Sequence, residues 1–294
     1  MYVNLALLAA FVLIYSTISK GLEKTPINGA IVFTGFGILF GPLGAGLLNL
    51  DVNADGMRLI AELTLAVVLF TDAANVNFRV LRQFIALPVR LLLIGLPITI
   101  LLGLGIGVLA LEGLTLMEIA ILATILAPTD AALGKAVVND EAVPNRLRES
   151  LNVESGLNDG ICVPILFVFI ALATGKAAQY QPTMLALKLV AEEIGIGLAS
   201  GVVVTALGIG LLKVADRHDW MTEDWRQLPV VALAVVCFTV AQILGGSGFI
   251  SAFTGGLLFG RMEKQQKKTL LLSAEAVGDN LSLITWVIFG AGVV

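Results

Sequence analysis

Ten apolar runs divide this chain, at residues 3–19, 27–48, 59–76, 84–111, 116–138, 150–173, 184–212, 228–244, 247–260 and 270–292. That repetition constrains the fold more than any other feature. A bilayer's hydrocarbon core is about 30 Å thick and takes roughly 20 residues of helix to cross. Repeated runs of this kind therefore imply an all-α, polytopic membrane protein. Composition agrees, with 57% of residues hydrophobic, 14% charged and a mean hydropathy of +0.95, against about 25% charged in a soluble domain. No basic stretch offers a surface to nucleic acid. Cys162 and Cys237 both fall inside apolar runs, so they read as small core residues and not as a disulfide framework. The first run lacks a basic leader and a small-residue cleavage site, so it reads as a retained span.

The eighth and ninth runs could be one overlong helix or two short ones hinged at Gly245, Gly246, Ser247 and Gly248. Charge decides between them. With two helices, one side of the membrane collects Lys20, Lys24, Arg79, Arg82, Arg146, Arg148, Lys213, Arg217, Arg226, Arg261, Lys264, Lys267 and Lys268, and the other holds only Arg58 and Lys176. Fusing the two would put the segment RMEKQQKK opposite the other basic loops. The positive-inside rule therefore predicts ten spans with the N-terminus outside. No polar linker interrupts the pattern, and residues 1–294 read as a single membrane domain.

Chemistry is concentrated on the fifth and sixth runs. In the fifth, MEIAILATILAPTDAALGKAVV, Pro128 has no amide hydrogen and its ring clashes with the preceding turn, so the helix is expected to break or kink there. Freed carbonyls would then lie beside Thr129 and Asp130. A broken helix at membrane depth is tolerated where it is buried or lines a cavity, and in secondary transporters it builds the ion site. The plainer alternative is that Thr129 bonds back to its own helix and Asp130 caps a second half-helix.

The sixth run contains NVESGLNDGICVPILF. At helical spacing Ser155 and Asp159 share one face, and Glu154 and Asn158 share the next. An ionisable residue at the centre of a membrane helix costs on the order of 3 kcal/mol, which makes it a functional candidate. Asp159 lies deeper and suits a site that binds either a proton or a cation. Glu154 lies nearer a basic loop and reads as a structural ion-pair partner.

The motif APTDAA, followed about 25 residues later by ESGLND, resembles the paired core helices of monovalent cation:proton antiporters of the NhaP and sodium/proton exchanger type. The stretch GSGFISAFTGGLLFG in the ninth run is similar to another segment of that family. The resemblance implies an inverted-repeat antiporter fold of thirteen spans with a broken core helix. About ten of the thirteen are present, so the chain is expected to be C-terminally incomplete and to transport only as part of a longer protein. It implies Asp159 as the carboxylate that binds ion and proton alternately, with Thr129 and Ser155 as oxygen ligands of Na+. Asn158 would orient the site, and Asp130 would balance the broken-helix dipoles.

Asp72, in the third run, resembles an acidic position that some relatives use as a further ligand. Equally, it reads as an interfacial residue near Arg79 and Arg82. Lys135 and Arg90 read as interfacial anchors, and His218, the only histidine, as a solvated loop residue. The resemblance further implies a homodimer in the plasma (inner) membrane and no cofactor beyond the transported Na+ (or Li+ or K+) and H+. Because Asn158 cannot release a proton, exchange is expected to be one for one and electroneutral.

From a different class, an intramembrane aspartyl protease would read GLND as a variant of G-x-G-D with Asp130 as its second aspartate. Asn158 replaces the glycine of that motif, however, and no P-A-L segment lies near the end. A channel or sensor subunit would call for a pore ring or a soluble sensory domain, and neither is visible in the sequence.

Overall fold

The computed structural model describes residues 2–22, 29–48, 54–76, 85–129, 142–173, 182–222, 224–261 and 264–292. Within these, residues 54, 149, 152, 156, 159, 160, 163, 164, 167, 171, 182–190, 227 and 264–269 are described by their backbone alone. Ten helices account for nearly all of it: α1 (Tyr2–Leu22), α2 (Gly29–Phe40), α3 (Ala54–Asn75), α4 (Ala86–Ala110), α5 (Leu116–Leu126), α6 (Asn145–Ala173), α7 (Pro182–Arg217), α8 (Pro229–Ile243), α9 (Gly248–Phe259) and α10 (Lys264–Gly292). There is one for each apolar run.

Among the described residues, five stretches are long and apolar enough to cross a membrane: Tyr2–Leu22, Ala86–Ala110, Ala191–Arg217, Asp224–Ile243 and Leu270–Gly292. Helices α2, α5 and α9 are apolar but shorter. On α4 and α7 the large side chains Leu101, Ile106, Leu109, Leu207 and Leu211 stand more than half exposed, as lipid-facing residues do. The protein is an all-helical, polytopic membrane protein.

The chain divides into two compact units, residues 1–65 with 275–294, and residues 66–274. The first is held by aromatic packing of α1 on α2. Phe11 stacks on Phe36 with centroids 3.9 Å apart, and Phe33 meets Phe11 and Tyr15 edge-on. Helix α2 stops at Phe40, short of the expected residue 48. Gly41, Pro42, Gly44 and Gly46 replace the last turns with a compact loop, tied by Leu48 N–H to the Phe40 carbonyl.

The second unit contains α4 to α9, the end of α3 and the start of α10. Pro97 cannot donate to the carbonyl four residues back, and the preceding turn widens to a π-helix over Leu91–Gly95, with Leu96 N–H bonded to the Leu91 carbonyl. Thr115 caps α5, accepting from Glu118 N–H while the Glu118 carboxylate accepts from Thr115 N–H.

Helices α8 and α9 are separate, as the distribution of basic residues requires. Gly245 turns the chain at φ +78, a conformation open mainly to glycine. Both are short because their turn ends against the side of α7, where Ser247 N–H donates to the Glu193 carbonyl over 3.0 Å. Helix α9 is wedged between α7 and α3. A Cβ on Gly201 of α7 would come 2.4 Å from the Ser251 carbonyl oxygen, and one on Gly256 would come 2.2 Å from that of Phe70. Small residues that admit backbone to backbone are how membrane helices gain contact where lipid supplies no hydrophobic drive.

Candidate functional site

Helix α5 ends at Leu126, and residues 127–129 leave the helical path around Pro128, as the missing amide hydrogen predicts. Residues 130–141 lie outside the described residues, and with them Asp130 and Lys135. From that break Thr129 faces α6. Its hydroxyl donates to Glu154 Oε1 over 3.2 Å. One turn along α6, Asn158 Nδ2 donates to the same oxygen over 2.9 Å. A single carboxylate oxygen thus joins the segment that follows α5 to the polar turn of α6.

Burial grades across this bridge. Thr129 is exposed, Glu154 is 8% exposed and Asn158 is fully buried. Glu154 therefore accepts one bond from an open rim and one from the interior. Among the described residues its partners are these two neutral donors, and no ion pair reaches it. The Asn158 carbonyl oxygen is buried and has no hydrogen-bond partner there. An amide held by its nitrogen, with its oxygen left as an acceptor, suits a cation or the proton of an acid. Ser155 is buried on the same turn. Asp159 follows Asn158 on the α6 backbone, and its side chain lies outside the described atoms.

Two apolar clusters bracket the polar turn. On one side Val153 packs on Val76, just past the end of α3, with Leu157 and Leu257 of α9 against them. On the other, Cys162 packs with Leu96 and Ile100 of α4 and Ala123 of α5. These clusters cover α6 with apolar side chains on either side of the turn that carries Glu154 and Asn158. Asp72 sits on α3, one turn before Val76, and is partly buried. Thr129, Glu154 and Asn158 are thus brought together, with Ser155 on the same turn, while Asp72 belongs to the neighbouring helix end.

Glu154, expected from the sequence to be a structural ion-pair partner, meets two side-chain donors among the described residues. Its two hydrogen-bond donors are neutral, and one comes from 25 residues away. Its i, i+4 spacing to Asn158 was the available signal.

An interruption at Pro128 beside a polar turn of the neighbouring helix is the kind of irregularity that secondary transporters place at their ion sites. The chain belongs to the transmembrane sodium/hydrogen exchanger family, whose sequence profile matches residues 7–294. It is 28% identical over 263 residues to the Na(+)/H(+) antiporter ApNhaP of Aphanothece halophytica, covering 88% of this chain and 48% of that protein. It is 25% identical over 283 residues to the K(+)/H(+) antiporter NhaP2 of Shewanella sp. (strain ANA-3), covering 96% of this chain and 46% of that one. The chain spans about half the length of these two relatives. Its fold matches the solved structure of the sodium proton antiporter MjNhaP1 from Methanocaldococcus jannaschii at pH 8, with a TM-score of 0.73 at 21% identity, over 99% of this chain and 69% of that one.

Proposed function

We propose that this chain carries the ion-binding half of a monovalent cation:proton antiporter, in which Asp159 binds a cation and a proton in turn. The observation that carries the reading is the double hydrogen bond onto Glu154, which draws Thr129 and Asn158 together beside the position that Asp159 occupies on α6. Alkali cations are hard and take oxygen ligands. In this reading the ligands are the hydroxyls of Thr129 and Ser155, the amide oxygen of Asn158 and the carboxylate of Asp159. Asp130 balances the helix ends at the break, and Asp72 is a candidate further ligand.

A proton and a cation cannot share one carboxylate, so each displaces the other. If the protein releases one only by loading the other, and alternates the side to which the site opens, their opposite movements are coupled. Asn158 has no proton to release, so the cycle carries one charge each way and is electroneutral. The relatives' names pair H+ with either Na+ or K+, and both ions, with Li+, are substrates to compare. The reading includes an N-terminus outside, residence in the plasma (inner) membrane and assembly as a homodimer. It is a transport function, and the aspartyl protease alternative draws no support from the family.

The test is exchange itself. Full-length protein in liposomes with an imposed pH gradient is challenged with NaCl, LiCl, KCl or choline chloride. The reading expects collapse of the gradient by at least one alkali cation and none by choline. Equal responses to all four salts would sink it.

A further inference from the structure

The turn between α8 and α9 meets α7 well inside that helix. Glu193, whose carbonyl accepts from Ser247 N–H, lies eleven residues after Pro182, the start of α7, or about 16 Å along it at 1.5 Å per residue. A cavity of about 140 Å³ lies at this junction, lined by Glu193, Gln242, Phe249 and the turn Gly245, Gly246, Ser247 and Gly248. The Glu193 carboxylate is partly buried and makes no hydrogen bond or ion pair with any described residue. Capping of α9 does not explain it, because Ser247 already fills that role, its hydroxyl accepting from Ile250 N–H. Glu193 stands near the start of the apolar stretch Ala191–Arg217, and Gln242 is exposed at the mouth of α8; an ionisable group on a membrane helix with no protein partner is a candidate for binding an ion.

We infer that this cavity binds a partly hydrated monovalent alkali cation, with the Glu193 carboxylate and the Gln242 amide oxygen as its side-chain donors. It is a second site, built on α7 and the α8–α9 turn and distinct from the Glu154–Asn158 turn of α6. Both donors are hard oxygens, and one carboxylate balances one positive charge. A calcium site would draw six to eight oxygens, several of them from carboxylates, and no cluster of three acidic, histidine or cysteine residues exists among the described residues. At about 30 Å³ per water the cavity has room for roughly four to five, enough for an ion that keeps part of its shell. An anion is disfavoured by the carboxylate itself and by Glu192, exposed beside it. An apolar occupant would strand the charge without solvent. The choice of an alkali cation rests on the exchange reading, so the test reads occupancy without exchange.

Leu244, 58% exposed and adjacent to Gly245, is replaced in full-length protein as Leu244→Cys. Native Cys162 and Cys237 are buried, and unsubstituted protein serves as the control. Modification rates are compared for cationic and anionic methanethiosulfonate reagents of similar size. The cationic reagent is expected to react several-fold faster. NaCl is expected to slow it more than choline chloride at equal ionic strength. Glu193→Gln should remove both the preference and the protection, while Glu193→Asp should keep the preference. Equal rates for the two reagents, protection by choline as strong as by Na+, or a cysteine that reacts with neither reagent would overturn the site. Exchange measured on the same liposomes separates the two claims. Protection without exchange leaves this site and removes the antiport reading, and exchange without protection does the reverse.

Discussion

Thr129 and Glu154 are joined across the break that follows α5 by a hydrogen bond of 3.2 Å from the threonine hydroxyl to Oε1. The same oxygen accepts Asn158 Nδ2 at 2.9 Å. If Glu154 serves as an acceptor for these two donors, its charge is secondary to its oxygen. Glu154→Gln, with the amide oxygen turned to the same place, should then retain most exchange, whereas Glu154→Ala should lose it. If Glu154 is instead held for an ion pair, both variants should fail alike. Thr129→Val should lower stability by about 1 kcal/mol, because side-chain hydrogen bonds between membrane helices average about 0.6 and reach about 1.7 kcal/mol. Its larger effect should be a raised Km for the cation, and Thr129→Ser should restore it. Melting in detergent and exchange kinetics on the same samples read both effects.

In the proposed cycle the charge carried per turnover depends on Asn158. A membrane potential does about 2.3 kcal/mol of work per elementary charge for each 100 mV, so a cycle that moves net charge responds strongly to voltage. With potential clamped by K+ and valinomycin, the Na+-driven pH change of the wild-type protein should be insensitive to voltage. Asn158→Asp adds a second group that can bind a proton, and an active variant should acquire voltage dependence. A several-fold voltage response in the wild type would mean that another residue also carries protons.

The ten apolar runs each became a helix, and the positive-inside count correctly separated α8 from α9, because both signals are local to a segment and its flanks. Pro128 ended α5 for the same reason. What could not be read locally is where a segment's end comes to rest. Helix α9 is short because its N-terminal turn lodges against Glu193 on α7, more than fifty residues earlier. Helix α2 ends early in a loop whose closure depends on Leu48 reaching back to Phe40. The pairing of Thr129 with Glu154 spans 25 residues, and spacing within one helix carries no trace of it.

Packing of α9 against α7 makes a stability prediction. A Cβ on Gly201 would lie 2.4 Å from the Ser251 carbonyl oxygen, a backbone atom that cannot swing aside, whereas one on Gly195 of the same helix meets nothing within 4 Å. Gly201→Ala should lower stability by roughly 1–3 kcal/mol, the usual range for overpacking. Gly195→Ala should raise it by about 0.4–1 kcal/mol. Thermal melts of the two variants should move in opposite directions, and equal shifts would contradict the close α7–α9 contact.

If cation and proton compete for one carboxylate, as proposed, that competition fixes the pH dependence of cation affinity. Protons occupy the site increasingly as pH falls, so apparent Km for Na+ should rise on acidification and fall as pH rises through the neutral range. Saturating Na+ should recover the rate lost to moderate acidity. A Km that does not change with pH would require separate sites for the ion and the proton.

The central claim is that Asp159 is the group that alternates between them. The most direct measurement is the Na+-driven collapse of a pH gradient by Asp159→Asn in full-length protein reconstituted beside the wild type, with melting in detergent confirming that both are folded. An asparagine keeps the size and an oxygen ligand but cannot take up or release a proton. The account predicts a folded variant with no exchange above protein-free liposomes at any pH. Exchange at a rate close to the wild type would contradict it.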